Sequence, residues 1–128
     1  MYQVGFEGFN FPDSQITVAL AAGITTADIG KALAVDTGAA NTLKLAGDGD
    51  TIVARLMTVE NRVNEGSLVG TASFRFSARL PIKTGETVAV GDTVVGAGSG
   101  EVKALETADH NANFVAEIDG TSAIVVKI

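Results

Sequence analysis

The chain contains no cysteine and no tryptophan, two prolines, one tyrosine and one histidine. Without cysteine there is no disulfide scaffold, no thiol nucleophile and no thiolate metal site. The single His110 has no further nitrogen or sulfur ligands to complete a zinc site. A catalytic triad would need that imidazole between a nucleophile and an orienting acid. Asp109-His110-Asn111 reads instead as a solvated loop. Basic residues are scarce as well: 9 Lys and Arg stand against 15 Asp and Glu, a net charge of −6. Phosphate neutralisation needs a basic face, so nucleic acid is not an expected partner. No apolar run approaches the roughly 18–20 residues of a membrane helix, so no membrane partner is expected. Met1-Tyr2-Gln3-Val4-Gly5-Phe6 is not a basic stretch leading into an apolar one, so no secretory signal is expected and synthesis is assigned to a cytoplasm.

What the chain has in quantity is glycine, 15 in 128 residues. That length suffices for one domain burying about two-thirds of its unfolded surface. Four of the aromatic residues, Tyr2, Phe6, Phe9 and Phe11, fall in the first eleven positions among Gly5, Gly8 and Asn10, before Pro12. This spacing fits neither helix nor strand, and residues 1–14 read as an extended arm. Its aromatic anchors must be buried either on their own domain or on a neighbouring subunit or larger partner. Residues 15–128 read as a single β-rich domain.

Within that domain Ile16, Val18 and Leu20 alternate at strand period. Thr25 or Thr26 can cap a helical turn that Gly30 ends. Leu33–Val35 and Thr42–Leu45 are short strands about the turn Gly38-Ala39-Ala40-Asn41. Residues 51–62 suit a strand covered on both sides, with Ile52, Ala54 and Leu56 on one face and Val53, Met57 and Val59 on the other. Asn64-Glu65-Gly66 marks a turn. Residues 68–80 alternate most clearly: Leu68, Ala72, Phe74, Phe76, Ala78 and Leu80 share one parity, and Thr71, Ser73, Arg75, Ser77 and Arg79 the other. One long strand or a bent pair is expected, with a buried and a wet face, ending at Pro81. Gly85-Glu86-Thr87-Val88, Gly91-Asp92-Thr93-Val94 and Gly49-Asp50-Thr51-Ile52 repeat a turn-then-strand grammar. Asp119-Gly120 between two β-rich runs signals a two-residue hairpin. A further short helix near Glu106–Asn111 is possible. The expected fold is mainly β: a small antiparallel β-barrel or β-sandwich with an extended N-terminal arm and at most one or two short helices.

Chemistry-bearing motifs are few. Gly47-Asp48-Gly49-Asp50 places two carboxylates in a turn but lacks the other ligands and closing Glu of a calcium loop. Gly96-Ala97-Gly98-Ser99-Gly100 is followed by no Lys-Ser/Thr and no helix, so it reads as a flexible loop, not a phosphate cradle. Lys103 resembles the hairpin lysine of lipoyl carrier domains only in outline, with different flanks. Arg55, Arg75 and Arg79 could form a basic patch. Arg75 and Arg79 share the polar face of the expected strand, about 13 Å apart at strand rise. On a chain of this charge a solvated face or a salt-bridge partner for another subunit is a better reading than nucleic acid. No catalytic, cofactor-binding or metal-ligating residue is assigned, and no small-molecule substrate is expected.

Taken in order, Ala27-Asp28-Ile29-Gly30-Lys31-Ala32-Leu33, Thr42–Asp50, Glu65-Gly66-Ser67-Leu68-Val69-Gly70, and Val90–Gly96 with Gly100-Glu101-Val102-Lys103 form a pattern. It resembles the capsid decoration, or cement, proteins of tailed bacteriophages, over about residues 27–104. The resemblance implies a β-tulip-like body and no enzymatic activity. It also implies a place on the outer surface of the virion capsid, with the major capsid protein as partner and a homotrimer as the working unit. That family offers no catalytic residues to carry over. Tyr2, Phe6, Phe9, Phe11, Arg75 and Arg79 are the candidate interface residues, the aromatics because such anchors dominate interface energetics. A tail or head-fibre component, or a small β-barrel ligand-binding or carrier domain, is the alternative.

Overall fold

A computed structural model describes residues 5–7, 14–62 and 67–128. It is mainly β, with a closed five-stranded barrel and two smaller sheets. The expected first strand is β1 (Gln15–Leu20). Thr25 then caps a 3-10 turn, Thr26–Asp28. Its hydroxyl accepts the Ala27 N–H at 3.3 Å, and the Asp28 carboxylate accepts the Thr25 N–H at 3.0 Å. This reciprocal box satisfies donors that the short turn leaves over. β2 (Ala32–Val35) and β3 (Thr42–Leu45) form the expected hairpin, with Leu33 opposite Leu45 and Val35 opposite Leu43. β4 (Ala54–Arg62) and β5 (Ser67–Ser73) complete the barrel in the order β1-β3-β2-β4-β5. The turn expected at Asn64-Glu65-Gly66 lies outside the described residues.

The remaining strands pack against the barrel. β6 (Phe76–Pro81), β9 (Phe114–Asp119) and β10 (Ser122–Lys127) make a sheet in the order β6-β10-β9. β7 (Val94–Gly98) and β8 (Glu101–Ala104) form a hairpin. Strand alternation divides the apolar residues between two cores. Leu33, Leu56 and Ala72 pack in the barrel with Leu20 and Leu43. Ala32 and Ala34, on the opposite face of β2, pack with Phe76, Leu80, Val94, Val102, Val115 and Val125. β2 is therefore covered on both faces and bonds the barrel to the small sheets.

Several expectations need correction. Of the two readings of residues 68–80 the bent pair holds, with a bend at Phe74-Arg75, but the two strands lie in different sheets, β5 in the barrel and β6 in the three-stranded sheet. Ser73 and Ser77, of the supposedly wet parity, are buried. Ile52 precedes β4 and packs in the second core, whereas Ala54 and Leu56 pack in the barrel. Gly96–Gly98 is strand, and only Ser99-Gly100 turns; both have positive φ, 52° and 77°, as primed hairpin turns require. The β9–β10 loop is Gly120-Thr121, with Asp119 paired to Ser122. Gly85–Val88 leads into no strand, and Glu106–Asn111 forms bends and turns, not a helix. Antiparallel pairing dominates, but the barrel closes through a short parallel contact, Ala19 with Thr42 and Leu20 with Leu43.

Candidate interaction surface

Along β6, Phe76 and Leu80 turn into the core. Ser77 and Arg79, offset by one residue, therefore face the other way. Across that face runs the segment Gly5–Glu7. The Ser77 hydroxyl donates to the Phe6 carbonyl. The Arg79 guanidinium forks onto the Glu7 carboxylate, with Nε to Oε2 at 2.9 Å and Nη2 to Oε1 at 3.1 Å. Its remaining nitrogen, Nη1, reaches Asp119 Oδ2 at 2.7 Å. Arg55 approaches from the barrel, and its Nε donates to the Arg79 carbonyl at 3.1 Å.

The electrostatics follow from this fork. The Arg79 hydrogen bonds hold the Glu7 carboxyl below the usual carboxylate range. The two carboxylates in turn raise Arg79 further above its already high value. Arg55 is half-buried, and loss of water lowers it from the ordinary arginine value. Bidentate geometry makes the contact directional, although solvent and salt screen it. Phe6, whose carbonyl is held by Ser77, remains 48% exposed. A hollow of about 160 Å3 lies beside it, lined by Gly5, Phe6, Ala116, Glu117 and Ile124.

Of the six candidate interface residues, the structure brings Phe6 and Arg79 to one place. Arg75 stands exposed at the bend between β5 and β6, where its carbonyl accepts the hydroxyls of Ser14 at 3.2 Å and Ser73 at 2.7 Å. The second arginine near Glu7 is Arg55, not Arg75. Tyr2, Phe9 and Phe11 lie outside the described residues. Sequence reasoning missed Glu7, Ser77 and Asp119. An acid amid the arm's aromatics was the one available signal, and only the fold supplies its partner.

The other motifs have structural occupations. Asp50 closes its own turn by accepting the Gly47 N–H at 2.8 Å, and it pairs with Lys44 at 3.3 Å. Asp48 pairs with Lys103 at 2.6 Å, so Lys103 is a mid-strand ion-pair lysine of β8 and not the tip of a hairpin. The His110 Nε2 sits 2.8 Å from the Gly91 carbonyl, with its ring edge-on to Phe114. No group of His, Asp or Glu that could hold a metal ion occurs among the described residues. A second surface feature lies on the barrel. Ile16 and Val35, 53% and 52% exposed, flank an apolar groove of about 410 Å3 that also contacts Val18, Leu43 and Phe74. Searches against family models, curated proteins and solved structures find no match to the chain.

Proposed function

We propose that this protein is a structural virion component that binds the outer surface of a mature tailed-phage capsid and bridges neighbouring capsid subunits as a trimer. The observation that carries the reading is the Phe6 ring, half exposed on a root fixed by Ser77 and Arg79. An aromatic anchor held in place before contact loses little conformational freedom on binding. The order of turn motifs that resembles capsid decoration proteins supports the same role. The acidic charge suits a protein that must stay off packaged nucleic acid. A trimer touching several capsid subunits gains avidity from weak single contacts. Preference for the expanded shell would stabilise that state by the difference in affinity.

The test mixes purified protein with expanded capsids and with unexpanded procapsids of the phage that encodes it. Co-sedimentation with expanded capsids and a raised capsid melting temperature are expected, and Phe6→Ala should weaken binding about tenfold or more. Binding to neither shell would overturn the proposal.

A further inference from the structure

Two Asp-Gly pairs, Asp48-Gly49 and Asp119-Gly120, carry the same chemistry in the sequence and stand in opposite settings in the fold. An aspartyl carboxyl is open to attack by the amide nitrogen of the residue that follows it. A bond forms between that nitrogen and the Asp Cγ, and a carboxyl oxygen leaves as water with the amide proton. Water then opens the succinimide ring at either carbonyl. One opening restores aspartate; the other gives isoaspartate, with no net change in mass. Glycine favours the step because no Cβ shields its nitrogen. The nitrogen must be free, and the carboxyl must be able to turn to it.

At Asp48 the nitrogen is occupied: the Gly49 N–H donates to the Gly96 carbonyl at 2.8 Å, where the β7–β8 hairpin rests on the 46–50 turn. At Asp119 it is not. Asp119 pairs with Ser122, so Gly120 and Thr121 form a two-residue loop. The interstrand bonds of such a hairpin belong to the flanking pair, which leaves the Gly120 amide outside them. That amide has no hydrogen-bond partner among the described residues. Gly120 and Thr121 are exposed, and nothing lies within 4 Å of a Cβ position at Gly120. The Asp119 side chain is 59% exposed, and its Oδ2 is held by Arg79 Nη1 at 2.7 Å. We infer that Asp119-Gly120 is a site of spontaneous isomerisation to isoaspartate, and that Arg79 slows the reaction by tethering the carboxylate. Isoaspartate adds a methylene to the backbone of the β9–β10 turn, so the pairing of residue 119 with Ser122 loses its register. The site does not require the capsid reading to hold.

The test incubates the purified chain at neutral pH for several weeks and maps its peptides, with isoaspartate identified by electron-transfer fragmentation. Isoaspartate should accumulate at Asp119 and stay several-fold lower at Asp48. In denaturant the two sites should convert at similar rates, since the difference lies in the fold. Arg79→Ala, or high salt on the unmodified protein, should speed conversion at Asp119 several-fold and leave Asp48 unchanged. Glu7→Gln keeps the contact between Arg79 and Asp119 and should leave conversion near the unmodified rate. Lys103→Ala frees the Asp48 carboxylate but not the Gly49 nitrogen, so Asp48 should stay intact. The melting temperature and circular dichroism of each fresh variant keep loss of fold out of the comparison. Conversion at Asp48 equal to or faster than that at Asp119 in the folded chain would overturn the inference. So would an Arg79→Ala chain that converts at Asp119 no faster than the unmodified protein.

Discussion

Arg79 grips Glu7 through two parallel nitrogen–oxygen contacts, at 2.9 and 3.1 Å, across 72 residues of sequence. The pair sits in solvent, so it orients the Gly5–Glu7 segment more than it stabilises the body. Arg79→Ala is expected to leave the melting temperature nearly unchanged. Chymotryptic cleavage after Phe6, followed by mass spectrometry, should accelerate several-fold. High salt should have the same effect on the unmodified protein by screening the pair. The Glu7 carboxyl is lowered from 4.5, so the latch is retained at pH 4.5 and lost as pH falls through the lower folded value. Cleavage that is equally fast before and after the substitution would remove Arg79 as the anchor.

Asn113 is 4% exposed and substitutes for a missing strand partner. Its Oδ1 accepts the Val94 N–H at 2.8 Å, and its Nδ2 donates to the Val94 carbonyl at 3.1 Å. The Thr93 hydroxyl donates to the Asn113 carbonyl at 3.0 Å and accepts the Asp109 N–H at 2.7 Å, tying the 105–113 loop to the same point. Asn113→Ala strips both partners from Val94 where water does not reach. A loss of about 2–4 kcal/mol is expected, since each orphaned buried group costs about 1–3 kcal/mol. Urea denaturation measures it. Ala112→Ser, on the neighbouring half-buried position, should change little.

The features legible in the sequence were the local ones. The Thr25 box, the β2–β3 hairpin and the strand period of Ile16–Leu20 all depend on residues a few positions apart. The division between β5 and β6 does not. Side-chain parity runs through Phe74 without a break, so nothing local announces a change of sheet. The change is made by distant partners: the Phe74 N–H donates to the Ser14 carbonyl, and the Phe74 carbonyl accepts the Lys127 ammonium at 2.9 Å. Ser73 and Ser77 were misread for the same reason, because their hydroxyls are satisfied by backbone carbonyls and can be buried. For the interaction surface, the aromatic arm was visible as a pattern.

Gly96 shows how closely the β7–β8 hairpin approaches the barrel. Its N–H donates to the Asp50 carbonyl and its carbonyl accepts the Gly49 N–H, both at 2.8 Å. A Cβ there would stand 2.2 Å from the Gly47 carbonyl oxygen and 2.9 Å from the Ala46 Cβ. Backbone cannot give way as a side chain can, so Gly96→Ala should cost about 1–3 kcal/mol or more, in the range of overpacked cores. Gly85→Ala meets nothing within 4 Å, and its only penalty is a φ of 91°. That costs about 1 kcal/mol. Chemical denaturation of the two variants should rank them in this order. The reverse order would mean that the hairpin does not rest on the 46–50 turn.

Acid should unfold this protein through the carboxylates that close its turns. Asp28 is lowered from 3.8 chiefly by the Thr25 N–H, and Asp50 chiefly by the Gly47 N–H. Asp48 is lowered chiefly by its hydrogen bond from Lys103. Each binds its proton less readily folded than unfolded. Between the ordinary value and the depressed one the unfolded chain holds more protons, so stability rises with pH through that window. The melting temperature should therefore be flat from neutrality to about pH 5 and fall steeply below about pH 4. Asp28→Asn retains an acceptor for the Thr25 N–H but removes the charge opposite Lys31, 3.0 Å away. That variant should be less stable at neutral pH and lose less on acidification. A parallel acid profile in the variant and the unmodified protein would show that Asp28 takes no part in the transition.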